Sequence, residues 1–402
     1  MKICLITPQF FPVPAVRGGA VEQLITMLVE ENEIEHKMDI TCVSVWDEKA
    51  EAISKKMKHT EFIYIPLREE KNQLDCKKND ERFVNYMEAV YEKIKERTFD
   101  YIVICGGNVI GYKEMMKKFP YEKNIVYLHG TALMAQELQE VYKYFIVVSD
   151  YVGNIFKRSN LLTPDRIKVL KNGIDYKSFV QTINQEEKRE LREKYKIQQD
   201  DITIMFCGRT VKEKGIKELL LAFKNMKNRD NCKVVIVGNS NFANEVQTEY
   251  DKQLKEIAKE VNDKVIFTGF IPNKELYKIH QIADIAVVPS MFEEAFCLVV
   301  VEAMASGLPV ITTDSGAIPE IVDDTCAFMI KRDEELIQNM TEKLELLSQD
   351  EELRRKMGQN GKKIAEKYNE HHYYLEFCKT IEEIDKNNKE KRNHAKRNEK
   401  KS

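Results

Sequence analysis

The stretch "ITIMFCGRTVKEKGIKELLLAF", residues 202–223, contains three kinds of chain in one line. Residues 202–207 form a continuous apolar run rich in β-branched side chains, the pattern of a strand buried on both faces. A polar loop follows, holding Arg209 and Lys214 and ending on a glycine. From Ile216 onward the apolar residues recur at helical spacing, so an amphipathic helix is expected. A strand, loop and helix of this kind belong to a parallel sheet covered by helices.

The same rhythm extends in both directions. Before it stand "KICLIT", "DITCVSV", "FIYIPL", "DYIVICGG", "NIVYLHG" and "YFIVVSD", with helical segments such as residues 19–31 and 80–97 between several of them. After a charged stretch, "NQEEKRELREKYKIQQDD", the pattern restarts with "ITIMFCGR" and continues through "KVVIVG", "KVIFTGF", "DIAVVPS", "PVITTD" and "CAFMI". The chain is therefore read as α/β, with two doubly wound, Rossmann-like domains in series. The boundary is expected near "KVLKNGIDYKSF", where Asn172-Gly173 signals a turn. This gives residues 1–172 as a first domain and 173–365 as a second. A helix over 366–385 is expected to cross back onto the first domain. The last 17 residues carry eight Lys or Arg against two Glu and almost nothing apolar. They are read as a disordered tail, 386–402, with contact to an anionic membrane surface as the alternative.

Bulk properties narrow the function. The chain has 402 residues, 43% apolar and 32% charged, enough for two or three domains with sizeable cores. A net charge of -3 gives no nucleic-acid footprint. Nine cysteines without a C-x-x-C pair suit a reducing compartment rather than a zinc or disulfide framework. No apolar run is long enough for a membrane span, and the start breaks into prolines too soon for a signal peptide. A cytoplasmic protein is expected.

The candidate site begins with a puzzle in "EEAFCLVVVEAMASGLPVIT", residues 293–312. Glu302 interrupts an otherwise apolar run, and Glu294 stands eight residues before it. Carboxylates are rarely buried without partners. A helix from Leu298 to Ser306, apolar on nearly every side, would start at the carboxyl edge of the sheet, where doubly wound folds bind ligands. The free N–H groups near Phe296, Cys297 and Leu298 would then face an anion such as phosphate. Two carboxylates beside it suit a ligand rich in hydroxyls. The bland alternative gives Glu302 an internal Arg or Lys partner and puts Glu294 on a solvated loop. Arg209 and Lys214 occupy a second loop at the same edge. They could bind phosphate, although "KEKG" is also ordinary surface chemistry. In the first domain Gly18-Gly19 opens a helix, and His129 ends the strand "NIVYLHG". Neither a G-x-G-x-x-G nor a P-loop is present.

Taken together, these segments resemble the family-4 retaining glycosyltransferases of GT-B architecture. The likeness spans roughly residues 1–385. Its most specific part is E-x7-E, Glu294 and Glu302 within "PSMFEEAFCLVVVEAMASGLPVITTDSGAIPEIV", supported by "GRTVKEKG", "FTGFIP", "IADIAVVPS" and "KNGID". The opening "VPAVRGGAVE" looks like the subset containing spore-coat and surface-polysaccharide enzymes. The resemblance implies a cleft between the domains and a hexosyltransferase-type reaction. A sugar would pass from a nucleotide diphosphate sugar, UDP-sugar favoured, to a glycan or lipid-linked acceptor, with retention and with no metal or cofactor. It further implies that Arg209 and Lys214 neutralise the diphosphate, and that Glu302 holds the ribose. Glu294 would lie beside the transferred sugar, the 296–298 backbone at the sugar and distal phosphate, and Ile271 near the base. Gly18 and Gly19 would meet the diphosphate, and His129 the donor sugar. The absence of any D-x-D fits a metal-free route. Cys297 and Ala317 depart from the family's usual glycines, which bears on donor identity. Acceptor choice is expected in the loops 10–17 and 67–81. Two rivals remain: a nucleotide-sugar epimerase of the same fold, and a coat-associated protein without turnover.

Overall fold

The computed structural model describes residues 1–67, 76–131, 135–159, 162–239, 248–261 and 264–399; the acceptor loop expected at 67–81 therefore lies largely outside the described residues. The chain forms two compact units, Met1–Gly173 with Glu370–Ser402, and Ile174–Asn369.

The first unit is built on seven parallel strands: β1 (Lys2–Ile6), β2 (Asp39–Val45), β3 (Thr60–Ile65), β4 (Tyr101–Cys105), β5 (Asn124–Leu128), β6 (Tyr144–Val147) and β7 (Ile167–Val169). Their order is β3-β2-β1-β4-β5-β6-β7. Every residue of β4, β5 and β6 is buried, which explains why their sequences do not alternate. Strand β7 was not foreseen. Its three residues are too few to show a period, and its pairing with β6 defines it. Helix α1 (Ala20–Glu35) follows β1.

The second unit has six parallel strands: β8 (Ile202–Cys207), β9 (Cys232–Val237), β10 (Val265–Gly269), β11 (Ile285–Val288), β12 (Val310–Thr313) and β13 (Ala327–Ile330). Their order is β10-β9-β8-β11-β12-β13, so the direction of winding reverses between β8 and β11. Helix α2 (Ile216–Asn225) follows β8, and helix α3 (Leu298–Ala305) lies between β11 and β12. Apolar side chains close a core on each face of this sheet.

The end of the chain corrects one expectation. Helix α4 runs Glu370–Glu399, beginning after Asn369 and continuing through most of the segment read as a disordered tail. Its inner face accounts for this. Asn388 accepts from Tyr144 at 2.8 Å and donates to Tyr101 at 3.1 Å, while Lys391 pairs with Asp165 at 2.6 Å. Further back, Tyr374 donates to Asn32 at 2.6 Å and Tyr373 meets Tyr127 at 3.1 Å. The charge count hid single polar anchors placed on one face. Lys400, Lys401 and Ser402 lie outside the described residues. Among the described residues no helix is long and apolar enough to cross a membrane.

Candidate functional site

In the second unit three loops leave the carboxyl ends of β8, β11 and β12 at the point where the winding reverses. Backbone contact sets their spacing. Gly215, at φ 70° and directly before α2, lies so close to the β11 loop that a Cβ would stand 1.9 Å from the Pro289 carbonyl oxygen. Gly316, at φ 55°, lies equally close to the backbone of Glu294, and the Ala317 N–H donates to the Glu294 carbonyl at 2.9 Å. Met291 N–H donates to the Glu213 carbonyl at 2.8 Å. Only glycine tolerates both the conformation and the approach.

This stacking delivers Lys214 to Glu294. The Lys214 ammonium donates to the Glu294 carboxylate at 2.8 Å, and the Ser290 hydroxyl donates to the same oxygen at 2.6 Å. Lys214 also sits over the Phe292 ring, 4.7 Å from its centre. Glu294 is 6% exposed, so it is not a carboxylate on a solvated loop. Ser290 and Phe292 were not anticipated. Ser290 lies four residues before Glu294, a local signal that was readable once Glu294 was chosen.

Glu302 behaves in the opposite way. No basic side chain among the described residues pairs with it, so the internal partner posed as the bland alternative is absent there. Burial, then the nearby charge of Asp175, pushes its pKa up to about 7. Helix α3 is not buried all round. Leu298, Glu302 and Ser306 share its half-buried face at four-residue spacing, while Val300, Val301, Ala303, Met304 and Ala305 are buried. The charge in the apolar run therefore points to the one face that the core leaves open. Cys297 is the N-cap residue and makes no side-chain cap bond, so it leaves the first N–H groups of α3 uncapped by its own thiol. Burial, then Glu294, holds its thiol well above the ordinary range. Phe296 packs edge-on against Tyr368, ring centres 5.8 Å apart. Arg209 is exposed at the end of β8, with no side-chain partner among the described residues. Ile271, half-buried, follows β10.

Glu293, next to Glu294, has a different fate: Arg332 binds it at 2.5 Å and the Gly316 N–H donates to it at 2.7 Å. The cavity of about 500 Å³ beside Arg332 is lined by Met291, Asp314, Lys331, Arg332 and Asp333, and contains none of the expected site residues. Among the described residues no three His, Cys, Asp or Glu side chains converge as a metal site.

The first-unit candidates form their own group. Gly18 and Gly19, at φ 93° and 94°, lead into α1. His129 directly follows β5, with its ring 4.1 Å from that of Tyr127. Both its nitrogens are buried without a hydrogen bond among the described residues, and burial lowers its pKa to about 3, so it is neutral. Glu22, in the first turn of α1, is 4% exposed, and burial raises its pKa to about 7. It was not foreseen, because position alone did not show that its face turned inward.

Parallel strands wound about two switch points, with a cation–carboxylate pair and an open helix face at one of them, define two doubly wound α/β units with a candidate ligand edge. In fold the chain matches the GT-B glycosyltransferase structures. The family described as Glycosyl transferases group 1 matches residues 187–364. Spore coat protein SA of Bacillus subtilis (strain 168) is 25% identical over 91% of this chain and 95% of its own. The lipopolysaccharide 1,2-N-acetylglucosaminetransferase of Salmonella typhimurium is 28% identical over 65% of this chain and 66% of its own. In fold, the chain is similar to Anabaena Alr3699/HepE, solved in complex with UDP-glucose, with a TM-score of 0.70 at 16% identity over 95% of this chain and 99% of that one.

Proposed function

We propose that the protein transfers a hexose from a UDP-sugar to a hydroxyl of a glycan or lipid-linked glycan, with retention and without a metal. The observation that carries this reading is the Lys214–Glu294 contact of 2.8 Å beside an α3 face that leaves Glu302 without a cation among the described residues. Departure of a nucleoside diphosphate concentrates negative charge on its phosphates. Arg209, exposed and without a side-chain partner among the described residues, and Lys214 supply positive charge there. The first N–H groups of α3 supply aligned dipoles. Groups already aimed at developing charge stabilise it without reorganising. The incoming diphosphate takes over Lys214 from Glu294, which frees that carboxylate to accept from a sugar hydroxyl. Glu302 accepts from the ribose hydroxyls on the open face.

Retention follows in this reading from attack on the face that the diphosphate leaves, with a donor phosphate oxygen taking the acceptor proton. No protein carboxylate acts as nucleophile. A UDP-sugar is favoured because the similar fold of HepE binds UDP-glucose. A glycan acceptor is favoured by the Salmonella relative, whose name specifies lipopolysaccharide. The spore-coat relative supports a cell-surface role, and the reaction is placed in the cytoplasm, where nucleotide sugars are made.

The test is a melting screen with UDP, GDP, ADP and their hexose derivatives, followed by transfer assays on Lys214→Ala and Glu302→Ala. UDP and a UDP-sugar are expected to raise the melting temperature, and each variant to lose tenfold or more of its transfer, the scale of one charged contact. Near-normal transfer in both variants would refute the assignment. Epimerisation of the nucleotide sugar without acceptor would replace it with the epimerase reading.

A further inference from the structure

The chain that leaves β11 and carries Glu294 is sewn to the chain that leaves β12. The Thr312 hydroxyl donates to the Val288 carbonyl at 2.9 Å, and the Thr313 hydroxyl to the Ser290 carbonyl at 2.7 Å. The Ser315 hydroxyl donates to the Phe292 carbonyl, and the Ala317 N–H to the Glu294 carbonyl at 2.9 Å. The accepting carbonyls fall at every second residue, so one edge of the β11 loop is held along its length.

Arg332, from the loop after β13, fastens this seam. Its Nη2 donates to Glu293 Oε1 at 2.5 Å and its Nε to Asp314 Oδ1 at 3.4 Å, so one guanidinium spans both loops. The other oxygen of Glu293 accepts from the Gly316 N–H at 2.7 Å. Gly316 is the residue on which a Cβ would strike the Glu294 backbone. Exposed ion pairs contribute little, but the Arg332 side chain is only 22% exposed and uses its fork on two acids. Glu293 and Glu294 are thus drawn to cations on opposite sides of β11 in the sheet: Arg332 beyond β12, and Lys214 after β8.

We propose that Arg332 is a positioning residue: acting through Glu293, it keeps Glu294 in place for a sugar hydroxyl once the diphosphate has taken over Lys214. This inference rests on the glycosyltransferase reading. In that reading Glu294, 6% exposed, gives up its cation when the donor arrives. A covered carboxylate without a cation is drawn towards water. The Ser290 hydroxyl still donates to it, and the seam closed by Arg332 stops the backbone from turning it outward. The sugar hydroxyl then meets an acceptor that is already oriented. Among the described residues no hydrogen bond or ion pair joins Arg332 to Lys214 or Glu294, so its influence on that pair passes through Glu293 and the seam.

Arg332→Ala in the full chain tests this in two arms. In the first, affinities for UDP and for UDP-glucose, UDP-galactose and UDP-N-acetylglucosamine are measured by calorimetry in both proteins. The variant is expected to keep the wild-type affinity for UDP and to bind the preferred UDP-sugar about five- to tenfold more weakly. An unchanged ratio of the two affinities, whether both hold or both fall, overturns the proposal. The second arm uses no ligand. Lys214→Met strands Glu294 in a covered place, and that cost persists only while the loop cannot release the carboxylate. The urea midpoint should therefore move only about half as far for Lys214→Met in the Arg332→Ala background as in the wild type. An equal or larger movement, the behaviour of independent sites, overturns the proposal. Should Arg332→Ala not fold, Glu293→Ala removes the same contact from its other side and is read by the same criteria. If the wild type binds no UDP, the donor reading fails by itself, and the urea arm alone decides whether Arg332 holds Glu294.

Discussion

Replacing Glu302 by Gln should make the unliganded protein more stable at neutral pH while impairing its function. The acid's pKa moves from the ordinary 4.5 to about 7 in the folded chain. In the window between those values the folded state holds a proton that the unfolded state has released. Stability therefore falls as pH rises from about 4.5 to about 7, and stays low above it. Roughly 2.5 pH units correspond to a ceiling of about 3 kcal/mol. Glu302 retains some exposure despite its crowded carboxyl, so screening brings the expected figure to about 2 kcal/mol. The neutral amide of the variant does not titrate and loses nothing over that range. For a unit of this size, Glu302→Gln should raise the melting temperature by about 4–8 °C at pH 8 and by almost nothing at pH 4. Calorimetry of both proteins across pH 4 to 8, without ligand, measures this directly. Equal shifts at the two ends, or a less stable variant at pH 8, would mean that Glu302 has a compensating partner and that the open face of α3 is not waiting for a ligand.

Lys214→Met keeps the stem near Phe292 but strips Glu294 of its cation. Because Lys214 is partly exposed, a loss of about 2 kcal/mol in urea unfolding is expected, and Glu294→Gln in the same chain should recover part of it. Gly215→Ala puts a methyl against the Pro289 carbonyl at a left-handed backbone position; a cost of roughly 2–4 kcal/mol and loss of the Lys214–Glu294 contact should appear in unfolding and in transfer assays. Glu22→Gln should flatten the fall in first-unit stability between pH 4.5 and 7, since burial raises that acid to about 7 as well; hydrogen exchange of α1 amides reads this region separately from the second unit.

Local pattern made the architecture legible. Continuous apolar runs in "DYIVICGG", "NIVYLHG", "KVVIVG" and "DIAVVPS" can only be strands buried on both faces, because an alternating strand would leave one face wet. Glu302 announced itself as a charge that the surrounding sequence could not accommodate. Yet one dimension could not say which carboxylate would be paired. Lys214 and Glu294 are 80 positions apart and meet at 2.8 Å because Gly215 and Gly316 let three loops stack closer than side chains would allow. The same limit applied to the last helix. Its composition resembled a solvated tail, because composition averages over faces, whereas Asn388 and Lys391 bind through one face only. Arg332 carried no motif at all. Its grip on Glu293 exists only after the chain has folded around it, since a contact between distant positions is a property of the neighbours rather than of the residue.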